Sequence, residues 1–342
     1  SSWVFDEVGN RLTQTEDGAV TSYTYDDNDR LIAEDSGSVV NTYLYDNNGN
    51  LVEKQIDGAT DSAYRWNHDN RLVEANVAGR VVSYTYDPSG RRQSERTIAG
   101  TVEFLVDPNR DYSQVIEEGD GPSIPAIYVH GDDLINQTIG GSVSYFHVDG
   151  LGSTRVLSNE SGIVTDSYLY HAYGELDEKS GVTENRYLYA GEQFDDELGF
   201  YYLRARYYDP AIGRFPSMDS FTGFMRDPRS LQKYLYAHAN PVVGIDPTGQ
   251  ATLVQLGVTL NGIGIGVNIA SYGVNILTGN YVGLAENIVS DAASLLVPGG
   301  ALANNTRKIA AWFVRGKSFI VGARASSHAL RHNMKSIGMN PC

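Results

Sequence analysis

The chain has 342 residues, with 26 Lys and Arg against 42 Asp and Glu, so its formal net charge at pH 7 is −16. At about 150 residues per domain, this length allows two or three domains or one large repeat array. The acidity argues against nucleic acid as a partner of the whole chain, because phosphate binding needs clustered Lys and Arg. The single cysteine, Cys342, excludes an internal disulfide framework.

Charge and tyrosine are divided unevenly at about residue 250. Residues 251–342 hold seven Lys and Arg and two Asp and Glu, which leaves 19 basic and 40 acidic residues in 1–250. The two parts therefore carry net charges of +5 and −21. Of the 23 tyrosines, 21 precede residue 251. This division predicts an acidic, tyrosine-rich body followed by a basic C-terminal region.

A repeat of 20 or 21 residues runs through the first part of the chain. Its marker is an aromatic residue followed by Asp or Asn, with Val in place of the aromatic at the last position: Phe5-Asp6, Tyr25-Asp26, Tyr45-Asp46, Trp66-Asn67, Tyr86-Asp87 and Val106-Asp107. Turn residues follow each marker, and then an Arg or Asn precedes Leu in most units, as in Arg30-Leu31. In the first unit the corresponding pair is Arg11-Leu12, so this alignment matches Leu12 with Leu31. Because the first residues already fall inside a repeat, we expect the sequence to be a fragment of a longer chain.

Each repeat unit predicts a β-hairpin. Aromatic residues alternate along the first strand, for example at Tyr23 and Tyr25, and so point to one face. Asp, Asn and Gly supply the first turn, and a second turn follows at positions such as Asp57-Gly58. A single hairpin is marginally stable in water, so neighbouring hairpins must stack into a continuous sheet with aromatic ladders on one face.

A second set of motifs lies between residues 141 and 250. Its most specific stretch is Leu198–Pro210, LGFYYLRARYYDP, and a Gly-Arg-Phe triplet follows at Gly213–Phe215. The other motifs are Tyr145–Arg155, Tyr170–Glu175, Tyr189–Phe194, Tyr234–Val242 and the Asp-Pro-Thr-Gly of Asp246–Gly249. With the Tyr-Asp repeat, these motifs make residues 1–250 resemble the YD-repeat or Rhs family, including its Rhs-associated core.

The resemblance implies a fold, a domain order and a set of partners. The fold is mainly β, with stacked antiparallel hairpins forming part of a cocoon-like shell. The domains are a YD-repeat array in 1–140, an Rhs-associated core in 141–250 and a variable, smaller helical region in 251–342, read as a truncated toxin start. Family shells enclose their own C-terminal toxin segment, are secreted or held at the bacterial cell surface, and are linked to secretion machinery and an immunity protein. No cofactor is expected, and no nucleic acid is expected to bind the shell.

The resemblance also implies an aspartic self-peptidase that releases the toxin. The family attributes its self-cleavage to two aspartates, which map here to Asp219 and Asp246, with cleavage between Gln250 and Ala251. Two carboxylates held close together share a proton, so one can act as a base towards water while the other acts as an acid. Arg214 either supports this charge or simply packs.

Two departures from the family pattern bear on this cleavage. The usual Ser-Pro-Asp-Pro is Ser217-Met218-Asp219-Ser220 here, and the usual Leu after Asp-Pro-x-Gly is Gln250. Asp-Pro also occurs at several turns elsewhere in the chain, so a purely structural role for Asp246 stays open.

The C-terminal region allows several interpretations. Residues 253–277 are uncharged and rich in Val, Ile, Gly and Asn, and could form a helical hairpin inside the shell, a membrane-inserting segment or a linker. Residues 326–338 resemble the opening of AHH-type nuclease toxins, but the chain ends before an Ala-His-His motif, so no nuclease activity is expected. His328 and His332 lie four residues apart without a third ligand, which favours a solvated helix face over a metal site. No metal is therefore expected.

An alternative function of a different class remains open. A Tyr-rich, acidic sheet could stack against sugar rings, since aromatic faces suit apolar sugar faces. Under this alternative, the protein is a cell-surface YD-repeat protein that binds carbohydrate or mediates cell contact and does not cleave itself.

Overall fold

The computed structural model describes residues 2–109, 112–120, 126–131, 133–223 and 228–250. They form one 18-stranded sheet, β1–β18, in which each strand pairs antiparallel with the next, and a second sheet of three strands, β19–β21. The strands of the large sheet are Ser2–Phe5, Arg11–Glu16, Ala19–Tyr25, Leu31–Asp35, Val40–Tyr45, Leu51–Ile56, Ala59–Trp66, Leu72–Val77, Arg80–Tyr86, Arg92–Thr97, Gly100–Asp107, Gln114–Gly119, Ala126–His130, Leu134–Ile139, Ser142–Val148, Thr154–Ser158, Val164–Tyr170 and Leu176–Ser180. The small sheet consists of Gln193–Asp195, Phe200–Leu203 and Arg206–Tyr208.

The described residues contain no α-helix. Their helical structure is limited to three short 3-10 turns, Tyr189–Gly191, Pro228–Leu231 and Ala237–Ala239. None of the helices in this part of the chain is long and apolar enough to cross a membrane. The predicted mainly β fold of stacked antiparallel hairpins is confirmed. The predictions for 251–342, including the helical region, the segment 253–277 and the histidines at 328 and 332, lie outside the described residues.

The Asp of each repeat marker shapes the turn that follows it. Asp46 Oδ1 accepts the backbone N–H groups of Asn48 at 2.9 Å and Asn50 at 2.8 Å. The backbone closes the same loop, because the Gly49 N–H donates to the Asp46 carbonyl at 3.1 Å. Gly49 has φ +79°, in the left-handed region that favours Gly, Asn and Asp. The repeated Asp-x-x-Gly spacing is therefore the chemistry of one turn used many times.

The two aromatic positions of each hairpin make different contacts. The first one is buried on the inner face of the sheet, at Tyr23, Tyr43, Tyr64, Tyr84, Phe104, Tyr128, Phe146 and Tyr168. The second one reaches back to the preceding hairpin, as when the Tyr86 hydroxyl donates to the Leu72 carbonyl and Trp66 Nε1 donates to the Leu51 carbonyl, both at 2.7 Å. The ladder thus combines burial of rings with a repeated hydrogen bond between hairpins.

The alignment of the first repeat unit was wrong by one residue. Tyr25 pairs with Leu31, and Phe5 pairs with Arg11 in the same register. Arg11 therefore takes the buried slot of Leu31, and Leu12 points outward with 39% of its surface exposed. Arg11 is tolerated there because its guanidinium lies 4.6 Å from the ring centroid of Tyr173.

The three-stranded sheet packs against the inner face of the large sheet. Phe200, Tyr202 and Tyr207 pack in one cluster with the inner aromatic residues of the repeats, and the Phe200 ring stacks on Tyr64 at 6.0 Å. Polar contacts accompany this packing, since the buried Tyr84 hydroxyl donates to Asp195 at 2.7 Å. The core block is thereby fixed to the repeats, and its last strand leads into the segment that carries the candidate site.

Candidate functional site

Residues 246–250 form a hydrogen-bonded turn after the last strand. Asp246 Oδ1 accepts the Gln250 N–H at 3.1 Å and the Thr248 hydroxyl at 3.4 Å. Gly249 has φ +69°, and a Cβ at that position would lie 2.4 Å from the Leu203 carbonyl oxygen. Only glycine fits this close approach. The Asp246 side chain is consequently held beside the backbone of Gln250.

Arg206 joins this turn to Asp219. It opens strand β21 and is 6% exposed. Its Nη2 atom lies 2.8 Å from Asp219 Oδ2 and 3.5 Å from Asp246 Oδ2. Its Nε donates to the Gly249 carbonyl, and its Nη1 donates to the Lys233 carbonyl at 3.0 Å. One buried guanidinium therefore brings both aspartates to the same place, beside the turn.

Burial and charge act in opposite directions on this cluster. Burial lowers the pKa of Arg206, and the two carboxylates oppose this change. Burial raises the pKa of Asp219, and Arg206 and Lys233 oppose this change. The net effect is a pKa of Asp219 that is raised above its ordinary value.

Hydrogen bonds that do not involve Arg206 also hold the segment that carries Asp219. The Asp219 N–H donates to the Lys233 carbonyl at 3.0 Å, and Asp219 Oδ1 accepts the Phe221 N–H at 2.8 Å. Between them, Ser220 Oγ accepts a hydrogen bond from Gln250 Nε2 at 3.0 Å. The Asp219 segment thus contacts the turn through a side chain of the turn itself.

A second arginine, Arg204, holds the other side of the turn. Its Nη1 lies 2.7 Å from Glu192 Oε2 and also donates to the Pro247 carbonyl. Burial raises the pKa of Glu192 to about 7, which Arg204 opposes and the charge of Asp246 reinforces. Arg204 and Arg206 flank the tip of the β20–β21 hairpin, so this hairpin anchors the turn at two points.

The structure brings together most of the residues predicted for the site. Asp219, Asp246 and Gln250 lie together, and Ala251 is outside the described residues. Arg214 lies elsewhere: its Nη1 donates to Asn10 at 3.0 Å, and its guanidinium is 4.8 Å from the ring centroid of Tyr25. These contacts match the packing alternative for Arg214, and Arg206 occupies the position between the two aspartates.

The sequence did not single out Arg204, Arg206 or Glu192. A signal was present, because two arginines alternate at the end of an otherwise apolar and aromatic stretch. A buried arginine needs polar or aromatic partners, because an unpaired buried charge is costly, so two arginines in this stretch imply acidic residues or aromatic rings opposite them. The identity of those acidic residues depends on contacts between segments distant in sequence.

A family model described as Teneurin YD-shell matches residues 1–242. The chain belongs to this family. The YD-shell assignment confirms the prediction that the Tyr-Asp units are YD repeats. It rests on both the repeat array and most of the core block.

The YD-shell chain is similar to several named proteins and to a solved structure. It is 33% identical over 196 residues to tRNA3(Ser)-specific nuclease WapA of Bacillus spizizenii, and this aligned region covers 54% of this chain and 8% of that protein. It is 28% identical over 233 residues to double-stranded DNA deaminase toxin A of Burkholderia cenocepacia, covering 57% and 16%. The solved TcdB2–TccC3 structure is similar at 17% identity and a TM-score of 0.46, covering 72% of this chain and 17% of that one. The chain spans less than a fifth of the length of each.

The YD-shell residues described here contain no cluster of three or more His, Cys, Asp or Glu side chains placed to hold a metal ion. The candidate site itself has two aspartates, but its third charged group is the guanidinium of Arg206.

Proposed function

We propose that this chain is a fragment of a bacterial polymorphic toxin that cuts its own backbone between Gln250 and Ala251. In this proposal the repeats of 1–140 and the core of 141–250 form a shell that encloses a cargo, residues 251–342. The observation that carries the proposal is that Arg206 contacts both Asp219 and Asp246 beside the backbone of Gln250. Two relatives whose names include the word toxin, double-stranded DNA deaminase toxin A and toxin protein Tse5, support the functional class.

The proposed cleavage is a hydrolysis with water as the only co-reactant. Asp246 takes a proton from a water molecule, whose oxygen attacks the carbonyl carbon of Gln250. Asp219, whose pKa is raised by burial, gives its proton to the nitrogen of Ala251 as the C–N bond breaks. The products are a carboxyl group at Gln250 and an amine at Ala251. Arg206 holds both carboxyl groups and the Gly249 carbonyl in place.

A denaturing gel of the purified chain tests this reaction. We expect two pieces, of 250 residues and of the 92 residues that remain of the 342. Asp219→Asn and Asp246→Asn should leave the chain intact. Asp27→Asn is the matched control, because Asp27 is exposed in a turn of the repeat sheet. Equal cutting in all four proteins would show that the two aspartates do not carry the reaction.

Enclosure of the cargo requires a separate test. The net charges of −21 and +5 on the two sides of residue 250 support attraction between body and cargo. Both pieces should therefore elute together in gel filtration under native conditions and separate only in denaturant. Elution of a free 92-residue piece from the native protein would refute enclosure.

The wider context is also proposed. The protein is exported to the cell surface or beyond by secretion machinery, and an immunity protein neutralises the cargo.

The aromatic ladder of the repeat sheet does not support the carbohydrate alternative. Its inner rings at Tyr23, Tyr43, Tyr64 and Tyr84 are at most 8% exposed and cannot offer a ring face to a sugar. That alternative would need other residues.

A further inference from the structure

We propose that the hydrogen bond between Ser220 and Gln250 positions the residue before the scissile bond and selects its side chain. This inference rests on the proposed self-cleavage. Gln250 Nε2 donates to Ser220 Oγ at 3.0 Å, and these residues are 30 apart in the chain. They are two of the three positions where the sequence departs from the family pattern: Ser220 stands in place of Pro and Gln250 in place of Leu, and the third departure is Met218 in place of Pro. The structure places these two departures in contact.

The position of Gln250 is fixed at both its backbone and its side chain. Its N–H lies 3.1 Å from Asp246 Oδ1 and 3.3 Å from Thr248 Oγ1, while its side-chain amide binds Ser220. Without the side-chain contact, the residue could still rotate about its own backbone bonds, and the carbonyl to be attacked would move with it. A reacting group held in one orientation reacts faster, because its rotational freedom has been lost before the reaction begins.

Ser220 is suited to this role because it directly follows Asp219. The Asp219 carboxyl group is held by Arg206, and the neighbouring hydroxyl is held by Gln250. Two links therefore join the Asp219 segment to the turn, one through the proposed catalytic carboxyls and one through the residue to be cut. A side chain without an N–H donor, such as Leu, loses the second link.

The test is a double-mutant cycle on the rate of self-cleavage in the full chain. Ser220→Ala and Gln250→Leu should each slow cutting about three- to tenfold, the value of one hydrogen bond. The double variant should be no slower than the slower single variant, because both changes remove the same contact. Ser220→Thr keeps the hydroxyl and should restore cutting. Ser89→Ala and Gln93→Leu are matched controls at exposed positions of the repeat sheet.

The outcomes separate this inference from the proposed function. Ser220 and Gln250 are both exposed, so the unfolding midpoint should not change, and a loss of rate then reports positioning. Cutting of both single variants at the wild-type rate, or losses that add in the double variant, would overturn the inference and leave self-cleavage standing. A wild-type chain that never cuts would overturn both.

Discussion

Replacing Arg92 by Leu should destabilise the protein, although Leu is the residue that most repeats carry at this slot. Arg92 is 3% exposed and lies 3.4 Å from Asp195 and 4.0 Å from Glu95. Its guanidinium also lies 4.3 Å from the ring centroid of Tyr202. Removing one member of a buried ion pair leaves an uncompensated charge, which costs about 3–5 kcal/mol. The apolar surface gained from Leu offsets only part of this.

Arg11→Leu is the matched comparison, because Arg11 occupies the same slot in another repeat. Arg11 is 6% exposed, and within the described residues it forms no ion pair with a carboxylate. Its Nε has no hydrogen-bond partner there. Leu at this position removes a buried, unpaired N–H group, but also the hydrogen bond to Gln14 and the contact with the Tyr173 ring. These effects oppose each other, so the free energy of unfolding should change by no more than about 1 kcal/mol in either direction.

Guanidinium denaturation of the full chain, followed by near-ultraviolet circular dichroism of the tyrosines, measures both effects. Burial raises the pKa of Asp195 to about 6, with Glu95 adding to the rise and Arg92 opposing it. A carboxyl with a raised folded-state pKa favours the folded state below its unfolded pKa and loses that contribution as the pH rises through the folded pKa. The loss caused by Arg92→Leu should therefore shrink between about pH 7.5 and about pH 5. This reasoning would be refuted if both variants lost the same free energy of unfolding, or if the loss in Arg92→Leu did not change with pH.

Three further predictions concern the turns and the pH response. Gly249→Ala should lower the free energy of unfolding by about 1–3 kcal/mol and slow self-cleavage. Gly58 is also at positive φ but lies in open space, so Gly58→Ala should cost only about 1 kcal/mol and leave cleavage unchanged. Denaturation measures the stability of both variants, and a denaturing gel measures their cleavage. Burial raises the pKa of Glu192 to about 7, so this residue's contribution to stability should fall as the pH rises through 7, and Glu192→Gln should flatten that part of the melting-temperature profile. Asp46→Ala removes an acceptor for two backbone N–H groups and should lower stability by about 1–2 kcal/mol in the same denaturation assay.

The repeat sheet was predictable from sequence because its signals are local. Turn formation at Asp46 depends on atoms within four residues, and the alternation of Tyr23 and Tyr25 depends on strand geometry alone. The one error, at Arg11, arose where the buried slot holds a charged residue. Local alignment favoured Leu12 for that slot, and the ring of Tyr173, from the far end of the sheet, makes Arg11 acceptable instead.

The candidate site was predictable only in part. The family resemblance named Asp219 and Asp246, and their shared contact with one guanidinium required the fold. Arg206 was hidden because its partners lie 13 and 40 residues along the chain, and no spacing rule connects them. Glu192 was hidden for the same reason: its carboxylate matters through Arg204 and the turn that Arg204 binds.

Departures from the repeat pattern coincide with contacts to the core block. The buried slot after the turn is Leu in three consecutive units, at Leu31, Leu51 and Leu72, and these pack among the inner aromatic residues. It is Arg at 11 and 92, where the guanidinium reaches Tyr173 in one case and Asp195 in the other. An arginine in an apolar slot is retained only where another segment supplies rings or carboxylates, because burying an unsatisfied charge is costly. In a repeat array of this kind, a charged residue in the buried slot therefore indicates where a non-repeat segment binds.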